Sequence, residues 1–261
     1  MNTLRFLTFN IRVAHALDRH NRWYRRRELV FDVIRDSRSQ ILGLQEVVPF
    51  QLDELLTAFP GLGAIADRRY AGRMGTYAPI LFDRDAVEPA QSGDFWLSPD
   101  PDGRRTRGWD AAVPRICTWA VFRQHGPDGR RFAVFNTHFD QAGVVARGES
   151  ARLVVSRLST LVHVPRVVTA DLNADESSEA MAILRTAGFQ DTFRELHPSE
   201  EALTYHGFRG RGARSLGKID YILRDDRWET IEAAVVRDGR DGRFPSDHFP
   251  MTAELLLRGG R

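Results

Sequence analysis

Residues 131–173 read RFAVFNTHFDQAGVVARGESARLVVSRLSTLVHVPRVVTADLN, and the fold class turns on this stretch. From Arg131 to His138 the residues Phe132, Val134, Asn136 and His138 fall on one face by the period-two alternation of a strand. Between Val144 and His163 the period changes. Ala151, Val155, Leu158 and Val162 then step by four, three and four, which is an amphipathic helix. Val167 to Ala170 is a strand again, and it runs into Asp171-Leu172-Asn173. Strand, helix, strand in that order is the unit of a parallel sheet. Just upstream, Ile116 to Phe122 and the turn Gly126-Pro127-Asp128-Gly129 add a hairpin to the first strand. A hairpin fused to a crossover unit implies a mixed α/β protein.

Outward from there the same two periods recur. Leu4 to Ile11 is apolar and β-favouring, and Arg25 to Arg38 reads as a helix with Leu29/Val33 and Val30/Ile34 at i, i+4. Ile41 to Leu44 is a short strand, and Gln51 to Phe59 a short helix stopped by Pro60-Gly61. Strands follow at Ala78 to Phe82 and Val87 to Trp96. A helix from Ser178 to Ala187 has Ser177 or Ser178 as its N-cap. Ile219 to Leu223, Ile231 to Val236 and Met251 to Leu257 close the chain as strands. Two packed mixed sheets with helices outside them are the expected architecture. The polar, Gly-rich stretches Asp100 to Trp109 and Gly207 to Gly217 read as surface loops too short to separate domains, so a single domain over 1–261 is expected.

Composition sets wider bounds. With 42% hydrophobic and 28% charged residues the chain is ordinary globular material. No apolar run approaches the roughly 20 residues of a membrane span, and the N-terminus lacks a signal-peptide layout, so a cytoplasmic protein without membrane association is expected. Cys117 has no partner for an internal disulfide and reads as a buried thiol. The net charge of +2 is too small to announce a nucleic-acid binder. Lys218 is the only lysine, and arginines cluster at Arg22 to Arg27, Arg104 to Arg107 and Arg209 to Arg214. Codon usage explains that bias more simply than selection for phosphate forks.

One regularity carries function. Successive strands end in residues able to bind metal or phosphate: Asn10, Glu46, His138, Asp171 with Asn173, and Asp247-His248. Structural strands end in Gly, Pro or Ser turns instead, so these ends point to one rim presenting a site. Phosphate-ester hydrolysis needs such a set: hard oxygen ligands for Mg²⁺ or Mn²⁺, a proton acceptor for water, and donors for the growing negative charge.

Leu7-Thr8-Phe9-Asn10, Leu44-Gln45-Glu46, Asn136-Thr137-His138, Thr169-Ala170-Asp171-Leu172-Asn173, Ile219-Asp220-Tyr221 and Ser246-Asp247-His248 resemble, in this order, the motifs of the endonuclease/exonuclease/phosphatase superfamily. Each is weak alone; the ordered set, from residue 4 to about 255, is specific. The resemblance implies a four-layer α/β sandwich, two mixed β-sheets flanked by helices, with the site at the top of the paired sheets. It implies metal binding by Asn10, Glu46 and Asp247. Asp171 and Asn173 would position and activate water, and His248 would contact the scissile phosphate with its ring oriented by Asp220. His138 would be a second phosphate-facing histidine. Asp171 and His248 are joint candidates for the base.

Blander readings stand beside these. Asn10 alone would be a turn cap, Asp171 and Asn173 an Asx turn, and His138 a satisfied core histidine. Arg115 divides evenly between phosphate binding and a surface salt bridge, and Asp140 between a metal neighbour and a loop carboxylate. Trp96, Trp109 and Trp119 read as core or loop anchors, and His15 and His206 as surface residues. No nucleophile elbow accompanies Ser246-Asp247-His248, so a serine hydrolase fits poorly. The expected activity is Mg²⁺- or Mn²⁺-dependent hydrolysis of a phosphate ester by direct attack of water, in a monomer. Nuclease is the leading label, with nucleic acid as partner. A phosphorylated sugar or lipid head group is the alternative, and a non-catalytic phospho-ligand binder a distant third.

Overall fold

Strand β1 (Thr3–Asn10) shows how the two faces of each sheet are assigned. Leu4 and Phe6 point into one core, Leu7 and Phe9 into another, so the strand is buried on both sides. The structure, a computed structural model, describes residues 3–66, 75–103, 106–126, 128–210 and 217–258. Pro127 of the expected turn and Arg104, Arg105, Arg211 and Arg214 of the arginine clusters lie outside the described residues.

After β1 come α1 (Trp23–Ser37), β2 (Ile41–Gln45), α2 (Pro49–Ala58), β3 (Leu62–Ile65), β4 (Ile80–Asp83), β5 (Val87–Trp96), β6 (Ile116–Gln124) and β7 (Arg131–His138). Then follow α3 (Val144–Ser159), β8 (Arg166–Asp171), α4 (Glu179–Thr186), β9 (Gln190–Asp191), α5 (Thr192–Leu196), β10 (Asp220–Arg224), β11 (Trp228–Val235) and β12 (Met251–Leu257). One six-stranded sheet has the order β11-β12-β1-β2-β4-β3, the other β5-β6-β7-β8-β10-β9. Each holds a parallel pair made by a helical crossover, β1/β2 through α1 and β7/β8 through α3.

Phe6, Phe122, Phe132, Val134, Ile222 and Trp228 fill the space between the sheets. Trp228 meets Phe6 and Phe132 edge-on at 5.7 and 5.5 Å. Outside, α1 and α2 cover the first sheet through Val30, Ile34, Leu52 and Leu55. On the far side α3 and α4 cover the second through Ala151, Val154, Leu158, Met181 and Leu184. The result is the expected α/β sandwich.

Toward one end the inner faces turn polar. Thr8, Gly43, Gln45, Asn136 and Thr169 succeed the apolar residues on their strands. Gln45 Nε2 donates to Thr8 Oγ1 (3.1 Å) and Asn136 Oδ1 (2.7 Å), and Asn136 Nδ2 crosses to Leu44 O (2.8 Å) and Pro79 O (2.9 Å). Gly43 makes room for this layer: a Cβ there would stand 2.0 Å from Thr169 Oγ1.

Several expectations shift. The third helix ends at Ser159, so Val162 is 61% exposed, and Val154 takes the buried place assigned to Val155. β11 starts at Trp228, and a bulge between Thr230 and Glu232 turns Ile231 outward. β3, β9 and α5 were not anticipated. Cys117 is fully buried, as expected. Among the described residues no helix is long and apolar enough to cross a membrane.

Candidate active site

The polar end of the sandwich continues upward into a cleft because register aligns the strand ends. His138 pairs with Asp171 across the parallel β7/β8 ladder, and Asp220 with Asp171 across β8/β10. All three continue the inner faces of their strands. Opposite them Asn10 ends β1. Thr8 is paired with Met251, which brings the segment before β12, and so Asp247 and His248, over the same end. Glu46 directly follows β2 in the left-handed region (φ 59°), which breaks the alternation and frees its carboxylate from the strand's outer face.

The Asp247-His248 segment is tied down from below. Ser246 Oγ donates to Asn10 O (2.6 Å), His206 N and Gly207 N donate to Asp247 O (2.8 and 3.0 Å), and Phe249 N donates to Thr204 O (2.7 Å). Thr204 Oγ1 in turn accepts the backbone N–H of Asp220 at 3.1 Å. His206 is therefore not a surface residue: it is 1% exposed and stacks on Phe249 at 4.0 Å. Nothing local in the sequence marked Thr204 or His206 as supports, since their partners lie far along the chain.

Asp171 is the hub. Its Oδ1 accepts Asn173 N (3.0 Å), the Asx turn, with Asn173 at φ 46°. Its Oδ2 accepts Asn10 Nδ2 (2.9 Å) and lies 3.3 Å from His138 Nε2 and 3.8 Å from His248 Nε2. Asn173 Nδ2 is 2.8 Å from His138 Nε2 and donates to Phe139 O at 3.0 Å. His248 Nδ1 meets Asp220 Oδ2 at 2.9 Å. Glu46 accepts Asn10 Nδ2 (3.3 Å) and Val13 N (2.9 Å).

Electrostatics separates these groups. Burial, reinforced by Asp220, lifts the Asp171 carboxyl to about 7. Burial alone would lower His248, but Asp220, Asp171 and Asp247 outweigh it and lift the imidazole to about 10. His138 is pushed well below its usual value by burial and by the charges of Arg115 and His248, so it is neutral. Burial also raises Asp247.

Arg115 lines the cleft with its Nε 3.6 Å from Asp140 Oδ2 and an Nη2 hydrogen bond to Gln141. Arg115 is therefore a largely buried, salt-bridged residue whose side chain lines the cleft. Asp140 is a loop carboxylate. It accepts the backbone N–H groups of Ala112, Val113, Ala142 and Gly143; burial opposes its charge, but these donors hold it below its usual range.

The cleft measures about 510 Å³ and is lined by Glu46, Arg115, His138, Asp171, Asn173, Asp247 and His248, with Arg12, His15, Trp96 and Tyr205 around them. Asn10 and Asp220 lie one hydrogen bond beneath, on Asp171 and His248. The structure thus brings every expected site residue to one place. His15 is exposed, as expected, yet it borders the cleft. Among the described residues, donor atoms of Asp171, Asp220 and His248 lie within 4.8 Å of one another, a spacing that can close on a cation. The Asp220–His248 hydrogen bond already uses facing atoms of that trio, whereas Glu46 and Asp247 open to the cleft.

Comparison with known proteins identifies the family. The model of the Endonuclease/Exonuclease/phosphatase family matches residues 7–248. An endonuclease/exonuclease/phosphatase from Bacteroides vulgatus is 32% identical over 99% of this chain and 100% of its own, with a TM-score of 0.91. A mannosyl-6-phosphatase from Bacteroides thetaiotaomicron is 30% identical over 97% of this chain and 100% of its own, with a TM-score of 0.87. No curated protein matches at a significant level.

Proposed function

The chain belongs to the Endonuclease/Exonuclease/phosphatase family, and from that premise we propose that it is a divalent-metal-dependent phosphomonoesterase acting on a compact substrate, a phosphorylated sugar or a molecule of similar size. The observation that carries this reading is the buried Asn10–Asp171–His248–Asp220 chain at the floor of a cleft walled by further carboxylates.

The donor set fits a hard divalent cation. Glu46 and Asp247 offer carboxylate oxygens and Asn10 an amide, and burial raises the Asp247 carboxyl, so a cation there would stabilise its charged form. When bound, Mg²⁺ or Mn²⁺ supplies charge neutralisation at the phosphoryl oxygens.

The remaining chemistry belongs to the chain. Asp171, with a carboxyl near neutrality, accepts the proton of the attacking water, and Asn173 orients that water. His248, held protonated, donates to a phosphoryl oxygen where negative charge grows, and Asp220 fixes its ring. This division of labour makes Asp171 the base and His248 the electrophile. Neutral His138 and Arg115 form the wall against which the phosphate rests. Direct attack by water is consistent with two candidate nucleophiles being out of play: the Ser246 hydroxyl is committed to Asn10 O, and the Cys117 thiol is fully buried with its pKa raised by burial.

The walls of the cleft bear on substrate size. A polymer track needs cations spaced along a groove. Among the described residues the cleft holds two arginines, Arg12 and Arg115, each bound to a carboxylate, and its apolar lining includes Trp96, Val113, Pro114 and Ile116. Apolar side chains beside a polar, charged floor suit a small ester, and the similarity to a mannosyl-6-phosphatase supports it. The test is a hydrolysis panel of sugar phosphates, p-nitrophenyl phosphate, its bis ester, and single- and double-stranded DNA and RNA, with and without EDTA. Metal-dependent phosphate release from a sugar phosphate, well above cleavage of any polymer, is expected. Preferential cleavage of nucleic acid would overturn the substrate class while keeping the metal chemistry.

A further inference from the structure

Arg12 stands in the left-handed region (φ 59°), a costly place for arginine, and three hydrogen bonds hold its backbone there. Its N–H donates to Asn10 Oδ1 (3.0 Å), and its carbonyl accepts Arg26 Nη2 (2.7 Å) and Gln51 Nε2 (3.2 Å). Buried Arg26 also binds the neighbouring Ile11 carbonyl, at 2.5 Å. The guanidinium is then aimed by Asp18, which takes Nε at 2.9 Å and Nη2 at 3.1 Å as a fork. That fork leaves Nη1 free. It points at Asp247 Oδ2, 3.5 Å away, and Glu46 Oε2, 3.9 Å away.

These two separations are too long for strong hydrogen bonds but well inside the range of Coulomb attraction. Arg12 is therefore built as a counter-charge to Glu46 and Asp247 rather than as their hydrogen-bond partner. We propose that Arg12 is the resident counter-cation of the Glu46–Asp247 pair and sets the affinity of that pair for a divalent metal, keeping the metal weakly held and exchangeable. The inference rests on the reading that Glu46 and Asp247 hold the cation. Two positive centres beside one pair of carboxylates repel each other, so the guanidinium weakens metal binding when both are present. It also keeps the pair compensated when no cation is there.

Mn²⁺ titration of the whole protein, followed by calorimetry, tests this with wild type, Arg12→Met, Arg12→Gly and Glu46→Gln. Glycine accepts the left-handed backbone without strain, so it serves if the methionine variant does not fold. Both Arg12 variants are expected to bind Mn²⁺ roughly tenfold more tightly or better, as loss of a like charge at this range implies. Their melting temperatures should fall in EDTA and recover in saturating Mn²⁺ by more than wild type gains. A merely structural Arg12 would lower both by the same amount, which would contradict the proposal. Unchanged or weaker Mn²⁺ binding in both variants, with wild type binding and Glu46→Gln impaired, overturns the inference alone. If wild type and Glu46→Gln bind Mn²⁺ equally, or neither binds, the underlying assignment of the metal site fails first.

Discussion

Asp171 shows what a single residue contributes when its environment opposes its charge. The carboxyl is ordinary in the unfolded chain and lifted to about 7 in the fold, so the folded state loses stability as pH rises from the ordinary carboxylate range through neutrality. Replacing it by Asn removes that penalty. Asp171→Asn, without metal at pH 8, is expected to be more stable by ~1–2 kcal/mol in urea unfolding, while turnover falls by about 10²–10⁴. A variant both active and unchanged in stability would refute the role. For the same reason kcat/KM in the wild type should climb with pH through the neutral region as Asp171 loses its proton. A rate that falls across that range would instead identify a protonated group as essential. His248 has the opposite dependence: its raised pKa stabilises the fold fully below its usual value and is lost as pH rises through about 10. Asp220→Asn should leave the fold intact and lower kcat by about 10–100-fold through the imidazole it orients, with little change in KM. The residues gathered at the cleft were legible because each is a chemically distinctive side chain at or near a strand end. Arg12 and His206 were not, because their meaning lies in partners such as Asp247 and Phe249, distant in sequence.

Among the elements, the strands carried most of the readable signal and the joints least. Period two over Arg131 to His138 placed Phe132, Val134, Asn136 and His138 on one face, and that face is the one between the sheets. Helix α3 was readable in kind, but its end was not: Val162 continues the apolar step numerically, while the chain has already turned at Thr160. The two-residue strand β9 is too short to have a period. The polar layer beneath the site was invisible for a different reason. Gly43, Gln45 and Asn136 look like weak strand residues, and Thr169 like an ordinary one, until the two sheets are stacked. Gly43→Ala tests that layer: its Cβ would collide with Thr169 Oγ1 and stand 2.6 Å from Asn136 Oδ1. A loss of about 2–4 kcal/mol of stability is expected by denaturant unfolding, and a neutral substitution would show that the layer is not tightly packed.

At the scale of the whole molecule, two sheets each supply half of a site that neither completes. Asn10, Glu46, Asp247 and His248 belong to the first sheet and its connections, and His138, Asp171, Asn173 and Asp220 to the second. Facing sheets held by an aromatic core keep those halves in register, which explains why ordered short motifs spread over nearly the whole chain predict a single cleft. What the motifs did not reveal is the character of its walls, because Trp96 ends β5 while Val113 and Arg115 come from the connection that follows it, with no shared pattern. The most direct test of the account is phosphate release from the best substrate in saturating Mn²⁺ by wild type and Glu46→Gln, side by side with EDTA-treated wild type. The account predicts rapid release by wild type alone, with the variant and the EDTA-treated enzyme both reduced at least about 10²-fold. Full activity in Glu46→Gln, or in the presence of EDTA, would contradict it.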